Sequence, residues 1–215
     1  MTEFRENGCH LIENGQRIAN RISGLHPSSL GLHPVVYFYS STGRYQPTAF
    51  LATVEMVKDL ERQNAFKEFA SVRQAFESFL LKHKVFINQV VVKFGSGLKG
   101  LGRLHGLLTF VVNGLVKGLT EPQILEALSN DSLFTFLQPS ELDEPGRRKD
   151  FDSETKSAAF LRDALKEPLR CKICNGLVHY NSISIDHIVR REDGGLGTVA
   201  NAQLTHPYCN STLKN

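Results

Sequence analysis

No stretch of this sequence stays apolar for long. The run LLTFVVNGLV, residues 107–116, is ten residues long and contains Asn113 and Gly114. A membrane-spanning helix needs roughly 18 to 20. The opening MTEFRENGCH has no apolar signal core. These absences lead to the expectation of a cytoplasmic protein. Cysteine is scarce: there are four in 215 residues, Cys9 alone and three within the last 45. That is no disulfide framework. In a reducing compartment, clustered cysteines more often ligate metal, and Cys9 reads as an ordinary buried thiol. Neither sign of charge is in excess. A net charge of +3 permits nucleic-acid contact without arguing for it. There is no internal repeat and no low-complexity tract. The glycines of GSGLKGLGRLHG, residues 95–106, lack the GK[ST] ending of a phosphate loop, so they read as a turn and a helix start.

What is present divides the chain. At 24.0 kDa and 41% hydrophobic residues it can bury one good core or two small ones. Residues 1–137 read as mostly helical. HLIENGQRIANRI places Leu11, Ile12, Ile18 and Ile22 at helical spacing. Residues 28–47 break that period, with Ser, Gly and Pro around the β-prone VVYFY, and predict a short strand or an irregular loop. A helix follows, with Phe50, Val54, Val57 and Leu60 on one face and Thr48 as its N-cap. The next carries an aromatic core stripe, Phe66, Phe69, Val72, Phe76 and Leu80. Residues 100–118 predict another helix, weakened by glycines that cost about 1 kcal/mol each. Thr120 caps TEPQILEAL, with Pro in its first turn. Residues 138–156 are charged, hold two prolines and read as a linker. A short amphipathic helix then starts from Ser153, and a compact module begins near Pro168.

That module has metal-ligand spacing. Cys171-Lys-Ile-Cys174 is a CxxC, and His206-Pro-Tyr-Cys209 is an HxxC of the same internal spacing, with 31 residues between the two pairs. One CxxC alone could be two small core residues. A second knuckle with matching spacing points to tetrahedral zinc. A 45-residue module has little core of its own, so the ion would supply much of its stability.

Between the knuckles stand Asp186 and His187, at the end of the strand-like SISIDH. A lone Asp-His pair is usually a solvated turn. Here Gly194–Gly195, Asn201 and Asn210 accompany it. His187 could take a proton from water, because an imidazole titrates near neutral pH. Asp186 offers a hard oxygen suited to Mg²⁺ or Mn²⁺. Strand neighbours point to opposite faces, so the two can act together only if the strand ends or bends there. Arg190 and Arg191 read either as a phosphate grip or as a solvated face.

The order CxxC, Asp-His, Gly-Gly, NAQL, HxxC and then Asn resembles the zinc-containing members of the HNH endonuclease family, which have the ββα-metal fold. The resemblance covers about residues 170–215 and departs from the family at His206, where Cys is usual. It implies a structural zinc on Cys171, Cys174, His206 and Cys209. It implies a catalytic Mg²⁺ or Mn²⁺ on Asp186 and Asn210, with His187 as general base and Asn201 bracing the loop that orients it. The fold class expected is then α+β: a mainly helical domain over 1–137, the linker 138–156, and a helix plus HNH module over 157–215. The function expected is metal-dependent hydrolysis of DNA phosphodiester bonds. The alternative is a non-catalytic, zinc-stabilised module that binds nucleic acid or acts as a sensor. Residues 28–52 also look like the helical region preceding the nuclease in bacterial DUF262-type defence proteins. That likeness implies a restriction-type, anti-phage role and a nucleotide-binding DUF262-type domain or subunit as partner.

Overall fold

The structure is a computed structural model that describes residues 14–40, 44–139, 165 and 167–214. Cys9, Ser153 with all but two residues of the helix expected to follow it, and all but the first two residues of the 138–156 linker lie outside the described residues. Two compact units emerge from the chain's contacts. One joins the segment up to Leu32 with Leu169–Asn215, and the other is His33–Pro168.

The described residues of the second unit are mainly helical. Its described helices are α2 (Pro34–Tyr37), α3 (Pro47–Arg62), α4 (Phe66–Lys82), α5 (Val85–Phe94), α6 (Leu98–Val116) and α7 (Glu121–Asn130). Helix α6 lies at the centre and packs against α3, α4, α5 and α7. It buries Leu104, Leu107, Leu108, Val111 and Val112. The stripe expected on α4 is there: Phe66, Phe69, Phe76 and Leu80 are buried. The same face also buries an ion pair the sequence did not announce. Arg73 Nε stands 2.7 Å from Glu77 Oε1, and Tyr37 donates its hydroxyl to that oxygen at 3.1 Å. One turn of helix separates the two charges, which satisfies both without water.

Local chemistry explains several of the helix ends. Thr120 is the N-cap of α7, and the side-chain oxygen of Gln123 accepts its backbone N–H at 2.8 Å. Asn64, at φ +52°, breaks the chain between α3 and α4 in the left-handed conformation that Asn tolerates. Two local expectations are corrected. The cap residue of α3 is Gln46, with Pro47 in the first helical position. Thr48 is buried inside the first turn and donates to the Ser96 carbonyl at 3.2 Å. VVYFY forms no named strand. Pro34 starts a helical turn through Tyr37, its fixed φ suiting a first turn, and Val36 and Tyr37 are buried there. Only Tyr39, after the turn, pairs strand-like with Tyr45.

The first unit contains a described helical stretch over residues 14–22 (α1), with Ile18 and Ile22 buried. It also contains a two-stranded antiparallel sheet, β1 (Ser184–His187) with β2 (Ala202–Thr205). The sequence reading grouped residues 14–32 with the helical part, but the contacts group them with the zinc-type module. Tyr208 donates its N–H to the Ser29 carbonyl at 3.0 Å, and Ser211 its hydroxyl to the Pro27 carbonyl at 2.7 Å. Gly24 N–H reaches Ser182 Oγ at 2.8 Å. Partners 158 to 184 positions apart leave no local pattern to read. Together the units are a mainly helical region and a small sheet module, an α+β protein. Among the described residues, no helix is long and apolar enough to cross a membrane.

Candidate metal centre and adjoining pocket

The first knuckle is a tight hairpin turn. Asn175 N–H bonds the Cys171 carbonyl at 2.9 Å, Cys171 N–H bonds the Gly176 carbonyl at 3.0 Å, and Asn175 sits at φ +55°. The second knuckle joins the end of β2 to a helical turn. Asn210 N–H bonds the His206 carbonyl at 3.0 Å, and the chain continues as a π-helical turn over Cys209–Leu213. The sulfurs of Cys171, Cys174 and Cys209 and a ring nitrogen of His206 all fall within 4.8 Å of one another.

This donor set suits zinc. Bonds of 2.0 to 2.3 Å in a tetrahedron put neighbouring ligand atoms about 3.5 to 3.8 Å apart. His206 Nδ1 is 3.4 Å from Cys174 Sγ and 3.8 Å from Cys209 Sγ. The orientation of His206 is settled by its other nitrogen. Nε2 lies 3.0 Å from the Leu177 carbonyl, which can only accept, so Nδ1 turns a lone pair toward the sulfurs. Hydrogen bonds from Cys174 and Cys209 hold the Cys171 thiol far below the ordinary thiol range. Donation to Cys171 pushes Cys209 far above it. Sulfurs this close cannot all ionise unless a cation compensates them. The apolar support is small. Cys171, Val178 and Cys209 form the buried centre, with Ile173, Ile183, Leu204 and Leu213 packed around it.

Strand β1 has its polarity reversed. Ile185 is 59% exposed and Asp186 only 8%. The buried face carries Ser182 and Asp186, with Ser184 partly covered between them. The final helical turn is matched to that face. Asn210 Nδ2 donates to Ser184 Oγ at 2.8 Å and to the Ile185 carbonyl at 3.4 Å. Four residues on, Lys214 Nζ reaches Asp186 Oδ2 at 2.7 Å. Gln203, opposite Asp186 in the ladder, donates to the same oxygen at 2.7 Å. Burial pushes the Asp186 carboxyl up, but the bonds from Lys214 and Gln203 outweigh it and hold the group below the usual carboxylate range.

The strand ends at His187. Asp186 and His187 therefore line one open pocket of about 320 Å³, together with Arg190, Arg191, Glu192 and Lys214. Asn201 fastens the segment leaving that pocket. Its Oδ1 accepts the Val189 N–H at 2.7 Å, and its Nδ2 donates to the Val189 and Leu196 carbonyls at 3.1 and 2.9 Å. The glycine pair turns the chain back. Gly194 adopts φ +86°, and a Cβ on Gly195 would stand 1.9 Å from the Val189 carbonyl oxygen. Arg190 is engaged within the module: it pairs with Glu192 at 2.9 Å and bonds the Lys214 carbonyl. Asn210 lies one step behind the pocket, against Ser184 and Ile185.

The structure thus gathers the four candidate zinc ligands in one cluster. It brings Asp186, His187, Arg190 and Arg191 to one pocket, and it places Asn201 in the short turn before β2, fastening the loop, and Asn210 in the final helical turn, against β1. Gln203 and Lys214 were not singled out from sequence. The strand alternation that puts Gln203 across from Asp186, and the four-residue step from Asn210 to Lys214, are the signals that would have found them.

A family model described as HNH endonuclease matches residues 171–215. No curated protein and no solved structure matches the chain.

Proposed function

We propose that the module formed by residues 14–32 and 169–214 is a metal-dependent DNA endonuclease. The observation that carries this reading is the meeting of Asp186 and His187 at the end of β1 in one open, Arg- and Lys-flanked pocket, inside the segment that matches the HNH model. A module that only bound nucleic acid would need the zinc-type cluster and a basic surface. It would have no use for a buried carboxylate beside an imidazole.

Each residue has a separable task. Cys171, Cys174, His206 and Cys209 would hold a structural zinc, leaving no open position for chemistry. Asp186 and the side-chain oxygen of Asn210 are hard donors that suit Mg²⁺ or Mn²⁺, which keeps waters and substrate phosphate among its ligands. When bound, that ion would neutralise charge developing on the scissile phosphate. His187 accepts a proton from the attacking water, and its place at the strand end leaves the ring open to the pocket. Asn201 holds the 189–196 segment and so fixes the backbone that carries His187 away from the strand. Arg191 offers its guanidinium to the DNA backbone, whereas Arg190 first orders the module through Glu192 and Lys214. The restriction-type defence setting and a DUF262-type nucleotide-binding partner rest only on the resemblance read in residues 28–52, which lie outside the segment that the family model matches.

The direct test incubates the purified chain with supercoiled plasmid and Mg²⁺ or Mn²⁺. Nicked or linear product, abolished by a chelator of divalent ions, is the expected result. Retardation of the plasmid without cutting, in either ion, would favour the non-catalytic binding module instead.

A further inference from the structure

Lys214 draws attention because it occupies the place the pocket's chemistry reserves for a cation. Its ammonium donates to Asp186 Oδ2 at 2.7 Å and to the main-chain carbonyl of His187. A carboxylate oxygen and a carbonyl oxygen converging from one strand end are the donor types that a hard divalent ion takes. The approach is also fixed from behind, since Arg190 bonds the Lys214 carbonyl while pairing with Glu192. The side chains of Lys214 and Asp186 are 20% and 9% exposed, so water screens the pair less than an ordinary surface contact.

Resting on the reading of Asp186 as a divalent-ion ligand, we propose that Lys214 is a built-in competitor for that ion. It holds Asp186 while the site is empty, and binding of the ion requires its displacement. The contest is electrostatic. In the empty site the ammonium gives one hydrogen bond to Asp186 and one to the His187 carbonyl, and a divalent ion must supply more than those two bonds to replace it. Lys214 thereby sets the ion concentration at which the site loads. Once displaced, its ammonium remains at a pocket already lined by His187 and Arg191, where a DNA phosphate would be seated.

The test is Mn²⁺ binding to the full chain, read by calorimetry and by the electron paramagnetic resonance signal of free Mn²⁺, with zinc content measured in each sample. Lys214→Met is expected to bind Mn²⁺ about ten-fold more tightly than the parent chain, the scale of one charge-assisted hydrogen-bond pair. Asp186→Asn is expected to lose that binding with or without Lys214. Unchanged or weaker binding by Lys214→Met, while Asp186→Asn still abolishes it, overturns the competitor and leaves the ion site standing. Mn²⁺ bound equally well by Asp186→Asn overturns the ion site itself, and the competitor with it. If the Met variant unfolds, Lys214→Gln also removes the charge and is judged by the same criteria.

Discussion

His206 has one nitrogen committed to the Leu177 carbonyl and presents the other to Cys174 and Cys209. That arrangement explains why a histidine can stand where the family usually has a cysteine. The carbonyl selects the tautomer, and the neutral imidazole supplies the fourth donor. A different residue contributes to the pH response of the helical unit. Lys84 is buried, its amine donating to the Val36 and Tyr39 carbonyls at 3.1 and 2.6 Å, and burial lowers its pKa from the usual value to about 8. Below pH 8 the folded and unfolded chains both carry the proton, and the burial cost is fully present. Between about pH 8 and the ordinary lysine value only the unfolded chain retains it, so this group adds stability as pH rises. In urea denaturation across that window, the slope of stability against pH should be more positive for the parent chain than for Lys84→Met. Equal slopes would show that Lys84 carries no such shift.

At the scale of elements, spacing-borne features were legible in the sequence and contact-borne ones were not. The two knuckles, the Thr120 cap, the α4 stripe and the Gly194–Gly195 turn each depend on residues a few positions apart. VVYFY was misleading because β-branched and aromatic residues suit a strand, yet Pro34 starts a helical turn and burial of Val36 and Tyr37 rewards it. The run VFINQVVVKF is likewise rich in β-branched and aromatic residues, yet it forms α5 with Phe86, Ile87 and Val90 buried. Thr48 had the composition of a cap but sits one position inside a helix whose first residue is proline. Gly31 shows a contact that no local rule reveals. At φ +57°, a Cβ there would stand 2.9 Å from both His206 Cδ2 and Ser182 Cβ. Gly31→Ala should destabilise the module by roughly 1 to 3 kcal/mol through backbone strain. Because the clash falls on the His206 ring, it should also weaken zinc retention in a chelator competition. Loss of stability with zinc affinity unchanged would mean that the ring does not depend on this contact.

At the scale of the molecule, the module is assembled from both ends of the described chain. Residues 21–32 supply Ser29, Pro27 and Gly24 as bonding partners for Tyr208, Ser211 and Ser182, and bury Leu30 and Leu32. A chain starting at residue 33 should keep the helical unit but hold zinc poorly and expose the sheet to proteolysis. Undiminished zinc content and protease resistance would show that residues 169–215 are sufficient alone. The family match covers only the second of these segments, so sequence comparison and spatial organisation draw different borders. The central claim is that this composite scaffold presents His187 to a water beside a metal-ready carboxylate. Its most direct test is the rate of plasmid cleavage by the parent chain and by His187→Ala, at matched zinc content and thermal stability. The predicted loss is at least about 100-fold, the lower range for a general base; cleavage by His187→Ala at the parent rate would contradict the account.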